Sequence, residues 1–444
     1  MARSSRLVVS LPSLLVITLL AMALLAMATG CGSGGAQPPP PTPTPTPAAT
    51  PSPTPVGANT VAVAFAAPTP VLVAEKVGAG NWTVMPVPNG APLMVQLPAG
   101  TTQYGIAMLC VAAQGGLQVN TEWILEADMK DATSYTLRLC EPASAPTTGS
   151  FAGSVDDSAI AGAATVSVNL SNFSIGAGFN SPGGSFNVTA PIGTTDVFAT
   201  AFDAAHTMLA MKVVRGQTVP GVANGGNSIT LAASDAVTIE PITVAPLPAG
   251  VTSPLMVPFP SYVTGNGSNA VGMNGFPVAQ QYAAMAAASA QPGDFYYFKL
   301  LASIANGEVF TQQRLKTAAP VTLTLPAPWV ATPPSAAKFP TLLFDYTGFA
   351  GQPAIADQAE IGWMQGTNAN GIIVVATANF QNGANTVTIP DLTAVPGFLQ
   401  MAPAGTSITW QSETWGGTTQ FYFGSTVVPQ TVSTVHQQGT YTQP

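Results

Sequence analysis

Ionisable side chains are scarce in this sequence. Lys, Arg, Asp and Glu together make up 7% of the 444 residues, and the only histidines are His206 and His436. Soluble domains usually carry about 25% charged residues, so uncharged polar residues must cover most of the surface. Zinc and di-iron sites need more histidine than the chain contains, and we therefore predict neither a metal nor a cofactor. The formal charge of −8, spread without a basic cluster, excludes nucleic acid as a partner.

Long apolar runs are confined to the N-terminus. Arg3 and Arg6 precede an apolar run from Leu7 to Met27, and three small residues, 28–30, then stand before Cys31. A charged start, an apolar run and small residues are the parts of an export signal. No other segment approaches the length needed to cross a bilayer.

This N-terminal segment resembles the lipobox of bacterial lipoproteins. The resemblance implies that residues 1–30 are a signal peptide and that Cys31 takes a diacylglyceryl group, which anchors the chain to a membrane. Gly32 follows the cysteine, and the same resemblance implies the outer membrane of a two-membrane cell envelope. Two alternatives stay open: an ordinary secretory signal cut nearby, and a spanning anchor, against which the interruption at Pro12 argues.

Residues 31–58 consist almost entirely of Gly, Ser, Pro, Thr and Ala, with long stretches of alternating Pro and Thr. This composition cannot form a core. Prolines at this density favour polyproline II, which predicts a disordered, semi-rigid spacer of about 60 to 80 Å. The spacer would hold the folded part away from the membrane.

After residue 58, short runs that alternate apolar and polar residues are separated by turn residues such as Gly100 and Asp131. Alternation with period two predicts strands, seven of them in residues 59–145, and a strand at residues 419–423 is one of those predicted farther along. The fold class is therefore all-β. We predict three or four tandem β-sandwiches, immunoglobulin-like or prealbumin-like, at residues 59–145, 146–247, 248–330 and 331–444. Only the alanine-rich run from Gln280 to Ala290 has the propensity of a helix.

The ranges 59–145 and 146–247 each contain a copy of one short sequence pattern. Residues 98–102, Pro-Ala-Gly-Thr-Thr, and residues 191–195, Pro-Ile-Gly-Thr-Thr, each precede an alternating strand, which indicates duplicated modules. Together with residues 153–155, Gly-Ser-Val, and 184–188, Gly-Ser-Phe-Asn-Val, the pattern resembles carboxypeptidase-regulatory-like and prealbumin-like domains. The resemblance implies β-sandwiches in these two ranges.

The chain contains three cysteines. If Cys31 is lipidated, Cys110 and Cys140 remain as a pair in an oxidising compartment, where a disulfide is expected. Metal binding is the alternative, but neither CxxC spacing nor a nearby histidine supports it.

Candidate catalytic residues are few. Asp203 lies three residues before His206, but no Gly-x-Ser-x-Gly elbow accompanies them, and His436 lies in a polar C-terminal tail where we expect it to be solvated. Carboxylate pairs of the kind that glycosidases use could be formed by Glu122 with Glu126. In a strand these two would share one solvated face, with the apolar residues between them on the other.

The sequence spacing also fails to single out any of the remaining candidates for catalysis, calcium binding or sugar binding. Asp357 with Glu360 is a second carboxylate pair, and Asp156 with Asp157 follows a turn and could ligate calcium, although the ligand-rich loop of an EF-hand is absent. Aromatic residues crowd the last range and could stack on sugar rings or simply pack the core: Trp363, Trp410 and Trp415. The sequence therefore assigns no catalytic residue. It favours a non-enzymatic binding or structural role with a protein or glycan ligand, and the alternative is a secreted hydrolase acting on polysaccharide or peptide.

Overall fold

Strands form almost all of the regular structure. The computed structural model describes residues 59–65, 68–87, 89–114, 116–137, 140, 147–171, 173–221, 224–251, 253–271, 281–329, 334, 337–344, 353–417 and 430–444. The predicted signal peptide, Cys31 and the linker to residue 58 lie outside these ranges. Within them the only α-helix is one turn long, α1 (Ala378–Gln381), and no helix is long and apolar enough to span a membrane. The predicted all-β class is confirmed.

All seven strands predicted for the first range are present: β1 (Thr60–Phe65), β2 (Leu72–Val77), β3 (Thr83–Met85), β4 (Leu93–Gln96), β5 (Gln103–Gln114), β6 (Leu117–Asp128) and β7 (Ser134–Leu137). The second range contains β8 (Thr148–Asp156), β9 (Thr165–Leu170), β10 (Phe173–Asn180), β11 (Gly184–Pro191), β12 (Gly193–Phe202), β13 (Met208–Val219), β14 (Asn224–Thr230) and β15 (Thr238–Val244).

The later ranges are also built from strands. The third contains β16 (Ser253–Thr264), β17 (Gly267–Ala270), β18 (Gln281–Ala284), β19 (Phe295–Ile304), β20 (Gly307–Leu315) and β21 (Val321–Leu323). The fourth contains β22 (Thr341–Leu343), β23 (Ala354–Gln365), β24 (Asn368–Thr377), β25 (Thr386–Thr388), β26 (Ser407–Gly417) and β27 (Gln430–Thr442). A further predicted strand, 419–423, lies outside the described residues.

The helix predicted from Gln280 to Ala290 is wrong. Within the described residues, this run forms strand β18 and a single 3₁₀ turn at Ala287–Ser289. Tyr282 is fully buried and pairs with Glu240 of β15. Packing in the core thus overrides the helical propensity of the alanines.

The largest sheet has twelve strands in the order β17-β16-β19-β20-β27-β26-β23-β24-β6-β5-β2-β3. It takes strands from the ranges 59–145, 248–330 and 331–444. Each pair of neighbours is antiparallel except β24 and β6, which are parallel. The predicted domain limits stay a prediction, but this sheet crosses them.

The two faces of this sheet have different surroundings. One face, the core face, carries Ile124, Ile361 and Trp410 into the largest hydrophobic core. The other, the opposite face, is covered at β5 and β6 by the β4-β1-β7 sheet, and residues such as Tyr104 pack there against Val95. Residues 104–110 of β5 and 124–128 of β6 are therefore buried on both sides of the sheet.

The second range contributes a separate pair of sheets, β10-β9-β12-β13 and β11-β8-β14. Alternate residues of β9 and β11, such as Val166, Val168, Phe186 and Val188, are buried in one core. Polar residues between them point outward, as expected for a sandwich with one solvated face on each sheet.

A buried ion pair fastens this sandwich to the large sheet. Arg215 of β13 binds Asp294, which precedes β19, through two hydrogen bonds of 3.0 and 2.6 Å. The Tyr262 hydroxyl donates to the same carboxylate at 2.8 Å. Side chains of Arg215 and Asp294 are only 20% and 4% exposed, so the fork-to-fork contact is shielded from water.

Candidate functional site

The predicted disulfide is confirmed. Cys110 of β5 is bonded to Cys140, and their Cα atoms are 5.3 Å apart. Cys140 comes three residues after the end of β7, whose sheet covers the opposite face of the large sheet. The bond therefore ties the segment that follows β7 to the large sheet, which is a structural task.

Asp203 and His206 lie in the turn between β12 and β13. The Asp203 carboxylate accepts hydrogen bonds from the backbone N–H groups of Ala205 and Thr207, at 2.8 and 2.7 Å. His206 is exposed and adopts a left-handed conformation with φ 62°. The aspartate thus shapes the turn, which accounts for the sequence spacing without any catalytic role.

Glu122 and Glu126 share a face of β6, as predicted, but the prediction that this face is solvated is wrong. It is the core face, because β6 is an interior strand of the large sheet, and the two side chains are 1% and 8% exposed. Glu126 forms an ion pair with Lys76 at 2.6 Å. Glu122 accepts a hydrogen bond from the Leu399 backbone at 3.1 Å, and burial raises its pKa to about 7.

Asp357 and Glu360 lie on opposite faces of β23. Asp357 is fully buried on the core face, where Thr414 and Gln381 donate hydrogen bonds of 2.8 and 2.9 Å to its carboxylate. Burial raises its pKa to about 6. Because Glu360 points to the other side of the sheet, the two carboxylates do not form a pair.

Asp156 and Asp157 stabilise turns. Asp156 accepts from the Ser158 backbone at 3.0 Å, whereas Asp157 accepts from the Ser181 hydroxyl at 2.6 Å and from the Gly183 backbone. Nowhere in the described part of the chain do three or more His, Cys, Asp or Glu residues group as a metal site would need.

The three tryptophans of the last range are buried. Trp363 and Trp410 lie in the largest core, and Trp415 lies on the opposite face, where its ring meets Phe310 edge-to-face at 6.0 Å. They are at most 8% exposed, so packing explains their positions.

His436 occupies a different place from the one predicted. It lies within β27, partly buried, and its Nε2 is 3.2 Å from Gln411 Oε1. Burial lowers its pKa to about 4. The prediction of a solvated tail is wrong, because the polar C-terminal residues pair with β20 on one side and β26 on the other.

This pairing brings titratable residues together on the opposite face of the large sheet. Glu308 of β20 and Glu413 of β26 both lie directly across from His436, and Glu360 of β23 is one diagonal step from Glu413. Directly opposed residues have Cβ atoms about 5 Å apart. We call these four residues the titratable row, and all of them are partly buried.

Burial makes the carboxyl groups of the titratable row weak acids. The pKa of Glu413 is raised to about 8, first by desolvation and then by the charges of Glu308 and Glu360. Desolvation raises the pKa of Glu360 to about 7, and the pKa of Glu308 is also raised, against the opposing effect of Lys299. Carboxyl groups that stay protonated near neutral pH can donate a proton, as a general acid does.

A polar groove lies at another place, where the turns beside β2, β5, β6 and β24 meet. Its volume is ≈ 360 Å³, and its lining contains no aliphatic or aromatic side chain: Gly78, Gly100, Thr101, Thr102, Gln103, Asp128, Lys130, Asn379 and Asn382. These residues come from four chain segments that are distant in sequence. We call this concavity the polar groove.

Hydrogen bonds fix the walls of the polar groove. The Thr102 hydroxyl donates to Asp128 at 2.6 Å, and Gln103 donates to the Phe380 carbonyl at 2.8 Å. Asp131, just behind the lining, accepts from the Asn379 side chain at 2.6 Å. The groove is thus formed before any ligand arrives, which lowers the entropic cost of binding.

Comparison with known proteins gives no match, either to a protein-family model or to a curated protein.

Proposed function

We propose that this chain is an exported, lipid-anchored protein of the bacterial cell envelope with a non-enzymatic binding role. The N-terminal signal and Cys31 support the anchor, and the Pro-Thr segment supports a stalk between the membrane and the folded part. The observation that carries the binding role is the polar groove.

The polar groove supports binding because it is concave, pre-formed and lined by groups that can hydrogen-bond a ligand. Its carboxylate Asp128 is already engaged by Thr102 and by the Lys130 backbone. The Thr102 hydroxyl that donates to Asp128 fixes the wall of the groove, and the lining contains no histidine, so recognition is the chemistry that this lining favours.

Binding is tested with the full chain, purified from membranes in detergent, by titration with soluble glycans and small polar metabolites. The variant Asn382→Gly keeps the left-handed backbone that Asn382 adopts at φ 50° and removes an amide from the rim. A ligand whose affinity falls in this variant, with the melting temperature unchanged, supports the proposal. If no ligand in the panel responds to changes in the groove lining, the proposed binding role is wrong.

The lipid anchor has a separate test. Metabolic labelling with palmitate should depend on Cys31, and Cys31→Ala should release the chain from the membrane fraction. Density separation of the two membranes should place the labelled protein in the outer one. Labelling and fractionation that survive Cys31→Ala would remove the anchor from the proposal.

The titratable row favours a second candidate, a hydrolase acting on polysaccharide or peptide. Diagonal neighbours such as Glu360 and Glu413 have Cβ atoms about 7 Å apart, a spacing compatible with the carboxyl pairs of glycosidases, and the raised pKa of Glu413 suits a general acid. A hydrolase screen discriminates the candidates. Turnover that Glu413→Gln abolishes and Glu240→Gln, on β15, leaves intact would replace the binding proposal with this one.

A further inference from the structure

Resting on the proposed binding role, we propose that the polar groove takes an acidic carbohydrate, a hydroxyl-rich chain that carries carboxylate groups, with Lys130 as the residue that recognises the carboxylate.

Lys130 supplies the charge that remains open to a ligand. Its side chain is exposed, and within the described residues its ammonium group makes no ion pair. The other lysine near this end of the sheet, Lys76, is already paired with Glu126 at 2.6 Å. A carboxylate entering the groove therefore meets one unpaired cation.

The carboxylates beside the groove do not offer a matching site for a cationic ligand. Both oxygens of Asp128 are engaged, one by the Thr102 hydroxyl at 2.6 Å and the other by the Lys130 backbone at 2.9 Å. Asp131 accepts from Asn379 at 2.6 Å and from the Asp128 backbone at 3.0 Å. Both carboxylates thus already hold donors of the wall at each oxygen, whereas the Lys130 ammonium makes no ion pair within the described residues.

The uncharged lining suits hydroxyl groups. Thr101 provides a hydroxyl, Asn382 an exposed amide, and Gln103 keeps its carbonyl oxygen after its amide nitrogen binds Phe380. Amides and hydroxyls can donate to and accept from the vicinal hydroxyls of a sugar. An apolar ligand would instead desolvate these groups without replacing their hydrogen bonds.

The density of positive charge limits the ligand further. A phosphate-rich polymer needs several cations or arginine forks, whereas this lining contains a single lysine, Lys130. This lysine therefore binds one carboxylate of an acidic oligosaccharide, and the neighbouring sugar units are held through their hydroxyl groups.

The test uses two oligosaccharides of equal length, one of galacturonic acid and one of galactose, titrated into the full chain in detergent. We expect the acidic oligomer to bind more tightly, and Lys130→Gln to weaken it about three- to tenfold while binding of the neutral oligomer is unchanged. Raising the salt concentration should weaken only the acidic oligomer. Lys316→Gln, which removes an exposed lysine elsewhere, is the matched control and should change neither affinity.

Equal affinities for the two oligomers, or a Lys130→Gln variant that binds the acidic one normally, would overturn the acidic-carbohydrate proposal and leave the binding role standing. Failure of both oligomers to bind also overturns it. The binding role itself falls only if the wider ligand panel shows no dependence on the groove, so the two failures are distinguishable.

Discussion

Replacing Glu122 by Gln should make the protein more stable at alkaline pH and leave it unchanged at acidic pH. Glu122 is 1% exposed, and burial raises its pKa from the ordinary value of 4.5 to about 7. An acid whose pKa is raised by folding contributes its stability below the unfolded pKa and loses it as the pH rises through the folded pKa. The loss of folding free energy caused by Glu122 therefore develops as the pH rises from about 4.5 to about 7.

The size of the effect follows from the shift. One pKa unit corresponds to 1.36 kcal/mol, so ionising Glu122 costs the folded state about 3 kcal/mol at pH 8. Gln has the shape of the protonated acid and its carbonyl oxygen can still accept the hydrogen bond from Leu399. We therefore expect Glu122→Gln to gain about 3 kcal/mol over the natural chain at pH 8 and nothing at pH 4.

Urea denaturation of both proteins at several pH values measures this difference. Asp391→Asn is the control, because it removes one exposed carboxylate whose pKa is lowered by hydrogen bonds from Thr393. The stability difference that it makes should stay constant between pH 5 and pH 8 and disappear only in acid. Parallel stability curves for Glu122→Gln and the natural chain between pH 5 and pH 8 would refute the reasoning.

Three further changes probe the fold. Replacing Cys110 and Cys140 by Ser should lower the free energy of unfolding by about 3 to 4 kcal/mol, because the bond closes a loop with a sequence separation of 30; denaturation with and without reductant checks this, and equal midpoints would contradict it. Arg215→Ala should cost about 3 kcal/mol by leaving the Asp294 carboxylate buried without its partner, and Arg215→Lys should recover only part, since Lys cannot form the fork; full recovery by Lys would refute the bidentate role. His206→Gly should raise stability by about 0.5 to 1 kcal/mol, because glycine adopts the left-handed conformation without strain, and a lower melting temperature would count against this.

Local patterns allowed the strands to be predicted, because alternation along each strand reflects one buried and one less buried side. The strands β11 and β26 show this clearly. What local patterns do not contain is the partner of each strand. The pairing of β6 with β24 joins residues such as Asn120 and Asn370, which are 250 positions apart, and no short-range signal encodes it.

The predictions for Glu122 and His436 are wrong because the sequence does not show which strands pair. Glu122 was expected to be solvated because a single strand with one polar face usually is, whereas an interior strand with layers on both sides has no solvated face. His436 was misplaced for the same reason, since a polar strand is easily taken for a tail. The groove residues Gly100 and Lys130 stand in turns that the sequence does indicate, but nothing local shows that these turns meet.

The parallel contact between β6 and β24 also sets an order of events during synthesis. The sandwich formed by β8 to β14 contains its own strand partners and can complete its core once residue 231 has been made. Strand β6 is synthesised earlier, and one of its edges has no hydrogen-bonding partner until residues 368–377 of β24 have been made. Pairings across so long a stretch of chain form slowly, and an exposed edge of twelve residues can recruit another copy meanwhile. Strand β6 is thus made early but is among the last strands to be paired on both edges. A chain that ends before residue 368 would still form the sandwich, but the edge of β6 that pairs with β24 would have no partner.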